Sequence, residues 1–206
     1  RAVLGRGLVG RTEHDVARSL DAEMRARGAE PSFPPIVAAG AHGAQPHAEP
    51  RMATIPRGTL VVLDWGAELE GYCSDCTRTL ATGELDEEAT ATYELVRRAQ
   101  LAGLEAVRPG PTGREVDAAA REVIDAAGRG EHFGHGLGHG VGLEVHEEPR
   151  LSKRGDDALR DGHVVTVEPG VYLPGRLGVR IEDLVVVREA GPRVLSSLPK
   201  DLTRVD

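Results

Sequence analysis

Apolar positions fall into a helical rhythm at two places in this chain, and the two patterns match. Residues 12–28 read TEHDVARSLDAEMRARG, where Val16, Leu20, Met24 and Arg27 keep the helical spacing. Residues 112–128 read TGREVDAAAREVIDAAG, and Thr12/Thr112, Val16/Val116, Ala26/Ala126 and Gly28/Gly128 coincide without a gap. In each stretch a threonine is placed to cap the helix and a glycine to end it. Glu115 completes a T-x-x-E capping box in the second. The strand signals repeat as well. Residues 59–66 (TLVVLDWG) and 164–170 (VVTVEPG) are apolar runs broken by Asp64 and Glu168. Residues 71–80 (GYCSDCTRTL) and 178–187 (GVRIEDLVVV) are expected to place Asp75 and Glu182 inside strands. Asp64 and Asp75 are 11 residues apart and Glu168 and Glu182 are 14 apart, both suited to hairpins. A long helix, about residues 87–107, ends at Pro109-Gly110 and separates the repeats. The pattern predicts two similar α/β halves about a pseudo-two-fold axis, each sending two acids to a shared centre.

Composition narrows the classes. With 206 residues, the chain can form one large domain or two small ones. Lys plus Arg is 25 against 33 Asp plus Glu, a net charge of −8 with no basic block, which argues against nucleic acid. No apolar run is long enough to span a bilayer and no signal peptide is visible, so no membrane role is expected. Two cysteines, Cys73 and Cys76, cannot build a zinc ribbon, and neighbours in one strand seldom pair, so a reducing, cytoplasmic setting is expected. Cys76 is expected in the core, and Cys73 on the face of Asp75, where it either packs as a small residue or approaches the centre. The chain opens at Arg1 and enters a helix almost at once, which reads as a fragment lacking an upstream part.

Residues 134–148, GHGLGHGVGLEVHEE, place His135, His139 and His146 among five glycines. The plainer reading is a glycine-rich loop with solvated histidines. The acids weigh against it. An acid within an apolar strand is costly unless paired or bound to a metal, and four meeting at one place would repel and largely protonate. Two divalent cations would neutralise them. Four carboxylates and an imidazole suffice for a dinuclear centre of Mn, Co, Fe(II) or Zn, among which ligand type does not choose. Two metals roughly 3.5–4 Å apart can hold a bridging hydroxide as nucleophile and polarise a carbonyl. Taken singly, each acid has a plainer reading as an edge-strand or salt-bridged residue.

Five stretches carry a resemblance: PHAEP (46–50), LDWGAELEGYCSDCTRT (63–79), HGLGHGVGLEVHE (135–147), TVEPGVY (166–172) and VRIED (179–183). With them the chain resembles, over essentially its whole length, the pita-bread metallopeptidases: aminopeptidase P, Xaa-Pro dipeptidase and, more distantly, methionine aminopeptidase. The resemblance implies an α+β fold, two pseudo-symmetric halves with a curved, mainly antiparallel sheet and helices on its outer face. It implies a catalytic domain over 1–206, without the N-terminal domain that such proteins usually carry and that helps form the oligomer. A homo-oligomer is then expected of the full-length protein.

The implied activity is hydrolysis of the bond between an N-terminal residue and a following proline by a metal-bridging hydroxide, so the expected partner is a peptide with proline second. Two divalent ions are implied, Mn first, with Co, Zn or Fe as alternatives. Asp64 would chelate one metal, Asp75 and Glu182 would bridge both, and His139 and Glu168 would complete the second. Glu168 would also shuttle the proton of the nucleophilic water. His47, 17 residues before Asp64, would hold the substrate or the tetrahedral centre, and His146 would donate to the scissile carbonyl. His135 would line the pocket for the residue after the cleaved bond, Arg180 would orient the Glu182 region, and Tyr172 would stand behind it. The seven-residue spacing of His139 and His146 also fits a methionine-aminopeptidase-like specificity, against which stand His135 and GYCSDCTRT. A catalytically silent peptide- or protein-binding module and a creatinase-like metal-free hydrolase are further alternatives. Lost ligands would mark the silent module, and here the ligand set is complete.

Overall fold

A computed structural model describes residues 1–206. Three helices form where the pattern places them: α1, Glu13–Arg25; α2, Glu87–Ala106; and α3, Gly113–Ala126. Arg27 falls beyond the end of α1, in a turn completed by Gly28 at φ 81°, a left-handed conformation natural only to glycine. Both threonines cap their helices. Thr12 Oγ1 accepts the Asp15 N–H at 3.0 Å and Thr112 Oγ1 accepts the Glu115 N–H at 3.3 Å, while each acid accepts the threonine N–H in return. The first box uses Asp where the motif has Glu or Gln, so the sequence pattern passes over it. Each helix buries the same stripe, Val16, Leu20 and Met24 in α1, and Val116, Ala120 and Ile124 in α3.

The strands repeat too. In the first half Ile36–Ala39, Thr59–Trp65 and Cys76–Thr82 form an antiparallel sheet in that order. In the second half Gly138–Gly140, Val164–Val167 and Asp183–Val186 take the same order. Glu147–Leu151 and Arg193–Val194 are added at the two edges. Each long hairpin leaves its sheet at the tip. After Trp65 the chain makes the Ala67–Leu69 and Tyr72–Cys73 pair, joined by Glu30–Pro31; after Val167 it makes the Gly170–Leu173 and Leu177–Arg180 hairpin.

These departures correct one expectation. Asp64 lies within its strand, but Asp75, Glu168 and Glu182 sit at the breaks where the chain leaves or rejoins a sheet. A residue off the ladder escapes the two-residue alternation of a strand. Its carboxylate can therefore turn toward the axis without displacing a core side chain.

The halves meet directly across that axis. Glu182 N–H donates to the Thr77 carbonyl at 3.1 Å. Thr79 Oγ1 donates to the Arg180 carbonyl at 2.9 Å and accepts the Arg180 N–H at 3.0 Å. Helix α1 covers the first sheet; α2 and α3 pack on each other and over the second, around Tyr93, Ile124, Leu137, Leu151 and Ile181.

Candidate metal centre

The acids of the two halves converge. One carboxylate oxygen each from Asp64, Asp75 and Glu182 lies within 4.8 Å of the others. Ligand atoms of Asp75, His139 and His146 form a second such group, so Asp75 belongs to both. Glu168 joins through His139, whose Nε2 is 3.1 Å from Glu168 Oε1 and 3.8 Å from Asp75 Oδ2. His139 reaches this point because its strand is squeezed between two others. A Cβ on Gly138 would collide with the Thr166 carbonyl, and one on Gly140 with the Glu148 carbonyl. Glycine on either side of His139 is therefore a packing requirement.

The electrostatics of the cluster suit it to cations. Burial pushes all three acids of the first group toward the neutral form. Asp75 is carried up to about 9 by burial and then by the charges of Asp64 and Glu168. Glu182 is driven well above the usual carboxylate range by burial and by Asp75. Asp64 is raised by burial, against the pull of Arg180. Glu168 goes the other way: burial acts to raise it, but the hydrogen bond and charge of His139 outweigh that and take it to about 2. Asp64 Oδ1, Asp75 Oδ1 and Glu182 Oε1 are buried with no hydrogen-bond partner. An orphaned buried polar atom costs roughly 1–3 kcal/mol, and three in one cluster is an arrangement that a cation would resolve. His139 agrees with this. Its Nδ1 faces the Gly140 carbonyl at 3.1 Å and donates to it, so Nε2 is the nitrogen turned to the cluster, where a cation would replace its proton. Hard oxygen donors with one imidazole fit two divalent cations.

A hydrogen-bonded frame holds the cluster. Arg180, 4% exposed, donates from Nη2 to Asp64 Oδ2 at 2.6 Å, from Nε to Thr77 Oγ1 at 3.1 Å, and from Nη1 to the Pro46 carbonyl and Tyr172 hydroxyl at 3.0 and 2.9 Å. It thus ties Asp64 to the segment bearing His47. Burial comes first for Tyr172 and raises its hydroxyl; burial opposes the Arg180 charge, which Tyr172, Asp64 and Glu168 nonetheless stabilise well above its ordinary value. Thr77 Oγ1 donates to Glu182 Oε2 at 2.8 Å, and Thr166 Oγ1 donates to Glu168 Oε1 at 3.0 Å. Behind Glu182, the buried Arg78 donates to its carbonyl and pairs with Asp183 Oδ1 at 2.7 Å. Sequence reasoning missed Thr77, Thr166, Arg78 and Asp183. Thr166 lies two positions from the acid it holds, a spacing that would have marked it, whereas Thr77 holds Glu182 across 105 positions that no local spacing shows.

The cluster floors a cavity of about 300 Å³ lined by Phe33, Ile36, His47, His135, His146 and Arg150, with Asp64, Asp75, His139, Glu168 and Arg180. His47 and His146 are exposed at its mouth. Burial and the neighbouring His139 lower the pKa of His146. His135 is lowered chiefly by burial. Its Nδ1 donates to the Gly136 carbonyl at 2.7 Å, so Nε2 accepts from the Tyr172 hydroxyl at 2.9 Å. Tyr172 and Glu182 stand behind the wall. A larger apolar cavity of about 400 Å³, between α1 and Leu63, Trp65 and Leu80, gathers no such acids. Neither cysteine joins the centre. Cys73 is half-buried with Sγ 3.8 Å from the Leu143 carbonyl. Cys76, expected in the core, is also only half-buried because it begins a strand beside Arg78, although burial pushes its thiol up to about 12.

A pseudo-two-fold α+β frame thus brings buried acids and an imidazole together at its axis. The chain belongs to metallopeptidase family M24, whose family model matches residues 1–189. It is 44% identical over 194 residues to an Xaa-Pro dipeptidase of Pyrococcus furiosus, covering 94% of this chain and 56% of that one. Among solved structures, a dipeptidase of Pyrococcus horikoshii superposes with a TM-score of 0.96 at 44% identity, over 98% of this chain and 57% of that one. An X-Pro aminopeptidase of Thermotoga maritima gives 0.96 at 42% identity, over 99% and 58%. The fold is the pita-bread fold. The chain spans about half the length of the curated relatives it matches.

Proposed function

We propose that residues 1–206 are the catalytic domain of a dinuclear-metal exopeptidase that hydrolyses the bond between an N-terminal residue and a following proline. The observation that carries this is the set of orphaned carboxylate oxygens beside His139 at the floor of a histidine-lined cavity. Asp64, Asp75, His139, Glu168 and Glu182 would hold two divalent ions, and manganese is the first choice on family resemblance. Bound there, the ions supply an activated water and Lewis-acid polarisation of the scissile carbonyl.

The chain's own groups do the rest. His146, exposed and biased toward the neutral form, donates to the carbonyl oxygen as negative charge gathers on it. Thr166 donates to Glu168 Oε1 and so fixes the carboxylate, which would take the water's proton and pass it to the departing proline nitrogen. Water oxygen bonds to the carbonyl carbon, the C–N bond breaks, and proline leaves as a secondary amine. An X-Pro bond has no N–H for an enzyme to grip, and neither His146 nor Glu168 needs one. His47 lies at the mouth where the substrate enters, fixed through Pro46 by Arg180. The relatives named above include dipeptidases and an aminopeptidase, so either length class fits. The two free cysteines support a cytoplasmic setting.

The test is metal-stripped protein resupplied with Mn(II), Co(II) or Zn(II), assayed on X-Pro, X-Pro-Y-Z and a Met-initiated peptide. Metal-dependent release of X before proline is expected. Cleavage of the Met peptide alone would replace the proline reading, and failure to bind metal would end it.

A further inference from the structure

Asp117 and Arg121 lie one turn apart on α3, at 1% and 7% exposure, and belong to none of the groups above. They pair through both edges, Arg121 Nε to Asp117 Oδ2 at 2.8 Å and Nη2 to Oδ1 at 2.9 Å. Their remaining contacts all fall on one short segment. Asp117 Oδ1 accepts the Leu137 N–H at 2.9 Å. Arg121 donates from Nη1 to the Phe133 carbonyl at 2.9 Å and from Nη2 to the His135 carbonyl at 2.8 Å. Its guanidinium lies 4.0 Å from the centre of the Phe133 ring, and that ring meets His135 edge-on at 5.1 Å. One ion pair thus grips segment 133–137 at three backbone groups and a ring. The segment has little stiffness of its own, because His135 is flanked by Gly134 and Gly136.

We propose that Asp117 and Arg121 are positioning residues, which fix where His135 projects into the cavity and so how the residue after the cleaved bond is received. The pair costs desolvation that an apolar pair would not. Its bidentate fork also does what an apolar pair cannot, orienting two carbonyls and an N–H at once. The proposal rests on the peptidase reading for its kinetic arm only.

The test uses the Zn(II)-loaded chain with ¹⁵N-labelled histidine, in wild type, Arg121→Lys and Arg121→Met. The His135 ring signals are identified by their loss in His135→Ala. Lysine keeps the charge beside Asp117 but loses the fork, so it tests the geometry even where the methionine variant folds poorly. The His135 ring signals should shift or broaden in Arg121→Lys with the metal content unchanged. KM for an X-Pro peptide should rise about tenfold with kcat within about threefold. In the His135→Ala background, Arg121→Lys should add nothing, because the two act as a unit. Unmoved ring signals, or an equal further loss in the His135→Ala background, would overturn the proposal. A wild type that binds metal but leaves X-Pro intact would remove the peptidase reading, and the ring signals alone would then decide the clamp.

Discussion

Thr77 has a single hydroxyl proton and two neighbours that fix its use. It accepts from Arg180 Nε at 3.1 Å, so its proton is directed to Glu182 Oε2 at 2.8 Å. Glu182 then has one oxygen satisfied by protein and one, Oε1, buried without a partner. A carboxylate that holds a metal gains part of its affinity from the groups that orient it, and Glu182 is proposed to hold one. Thr77→Val, which keeps the shape and removes the hydroxyl, should weaken divalent-ion binding by about 10- to 100-fold, and Thr77→Ser should restore most of it. Titration against a competing chelator reads this directly; equal affinities would show that the backbone alone holds Glu182. His146 poses a sharper question at the same scale. Its ring centre is 4.2 Å from that of His139, and its ligand atom lies within 4.8 Å of those of Asp75 and His139. Geometry alone therefore allows it to be a ligand. As the donor proposed above, it can be lost without losing a metal. His146→Ala should keep two ions per chain by elemental analysis while kcat falls at least about a hundredfold, the scale for removing one such donor. A variant holding one ion would make His146 a ligand instead.

At the scale of elements, α1 carries a buried acid that grips a loop, as α3 does. Glu13, 1% exposed, accepts the N–H groups of Ala39 and Arg51 at 2.9 and 3.0 Å, and His42 Nδ1 at 2.9 Å. It so closes the loop that contains His47. Burial acts to raise its pKa, but the two backbone donors, with Arg51 and His42, outweigh it and lower the pKa below 4.5. A carboxylate whose folded pKa is depressed stabilises the fold above its unfolded value, and this is lost as pH falls through the folded one. Unfolding free energy should therefore drop on acidification below about pH 4.5, and Glu13→Gln should flatten that limb. At pH 7 the same variant should cost about 3 kcal/mol by denaturant unfolding, since it breaks a buried charged network. A wild-type acid limb left intact in Glu13→Gln would place its origin in other carboxylates. How far the sequence showed these elements follows from the range of the forces involved. Helices α1 and α3 and their caps were legible, because the 3.6-residue period and capping are local. The box at Asp15 was not, because the motif is written for a longer side chain. The breaks at Asp75, Glu168 and Glu182 were not either. Where a strand leaves its sheet is decided by distant partners, such as Glu30–Pro31 for the first tip.

For the whole molecule, the pseudo-two-fold is what turns separate acids into one centre. Asp64 and Asp75 come from one half and Glu168 and Glu182 from the other. The repeat in sequence announced that convergence before any contact was known. The network behind it was hidden because Arg78 meets Asp183 across 105 positions of chain with no shared pattern, and Lys200 joins Asp183 from 17 positions further on. Convergence has a thermodynamic consequence. Without cations, folding brings buried acids together, and Asp75 must hold a proton, its pKa carried to about 9, that the unfolded chain does not hold at neutral pH. With cations, that cost becomes binding energy, and an ion at a hundred times its Kd adds about 2.7 kcal/mol to stability. Chelation should accordingly lower the Tm of wild type. Asp75→Asn replaces the protonated acid by a neutral group of the same shape. Its Tm should lie above that of metal-free wild type, below that of the metal-loaded protein, and should not respond to chelator or to added Mn(II). Activity should vanish in the same variant. Should Asp75→Asn melt below metal-free wild type, the acids are not in conflict when the cations are gone, and a proton shared within the cluster would hold it together instead. Should Asp75→Asn still gain stability from Mn(II), Asp75 is not needed to hold the ions, and its assignment as a carboxylate shared by both fails.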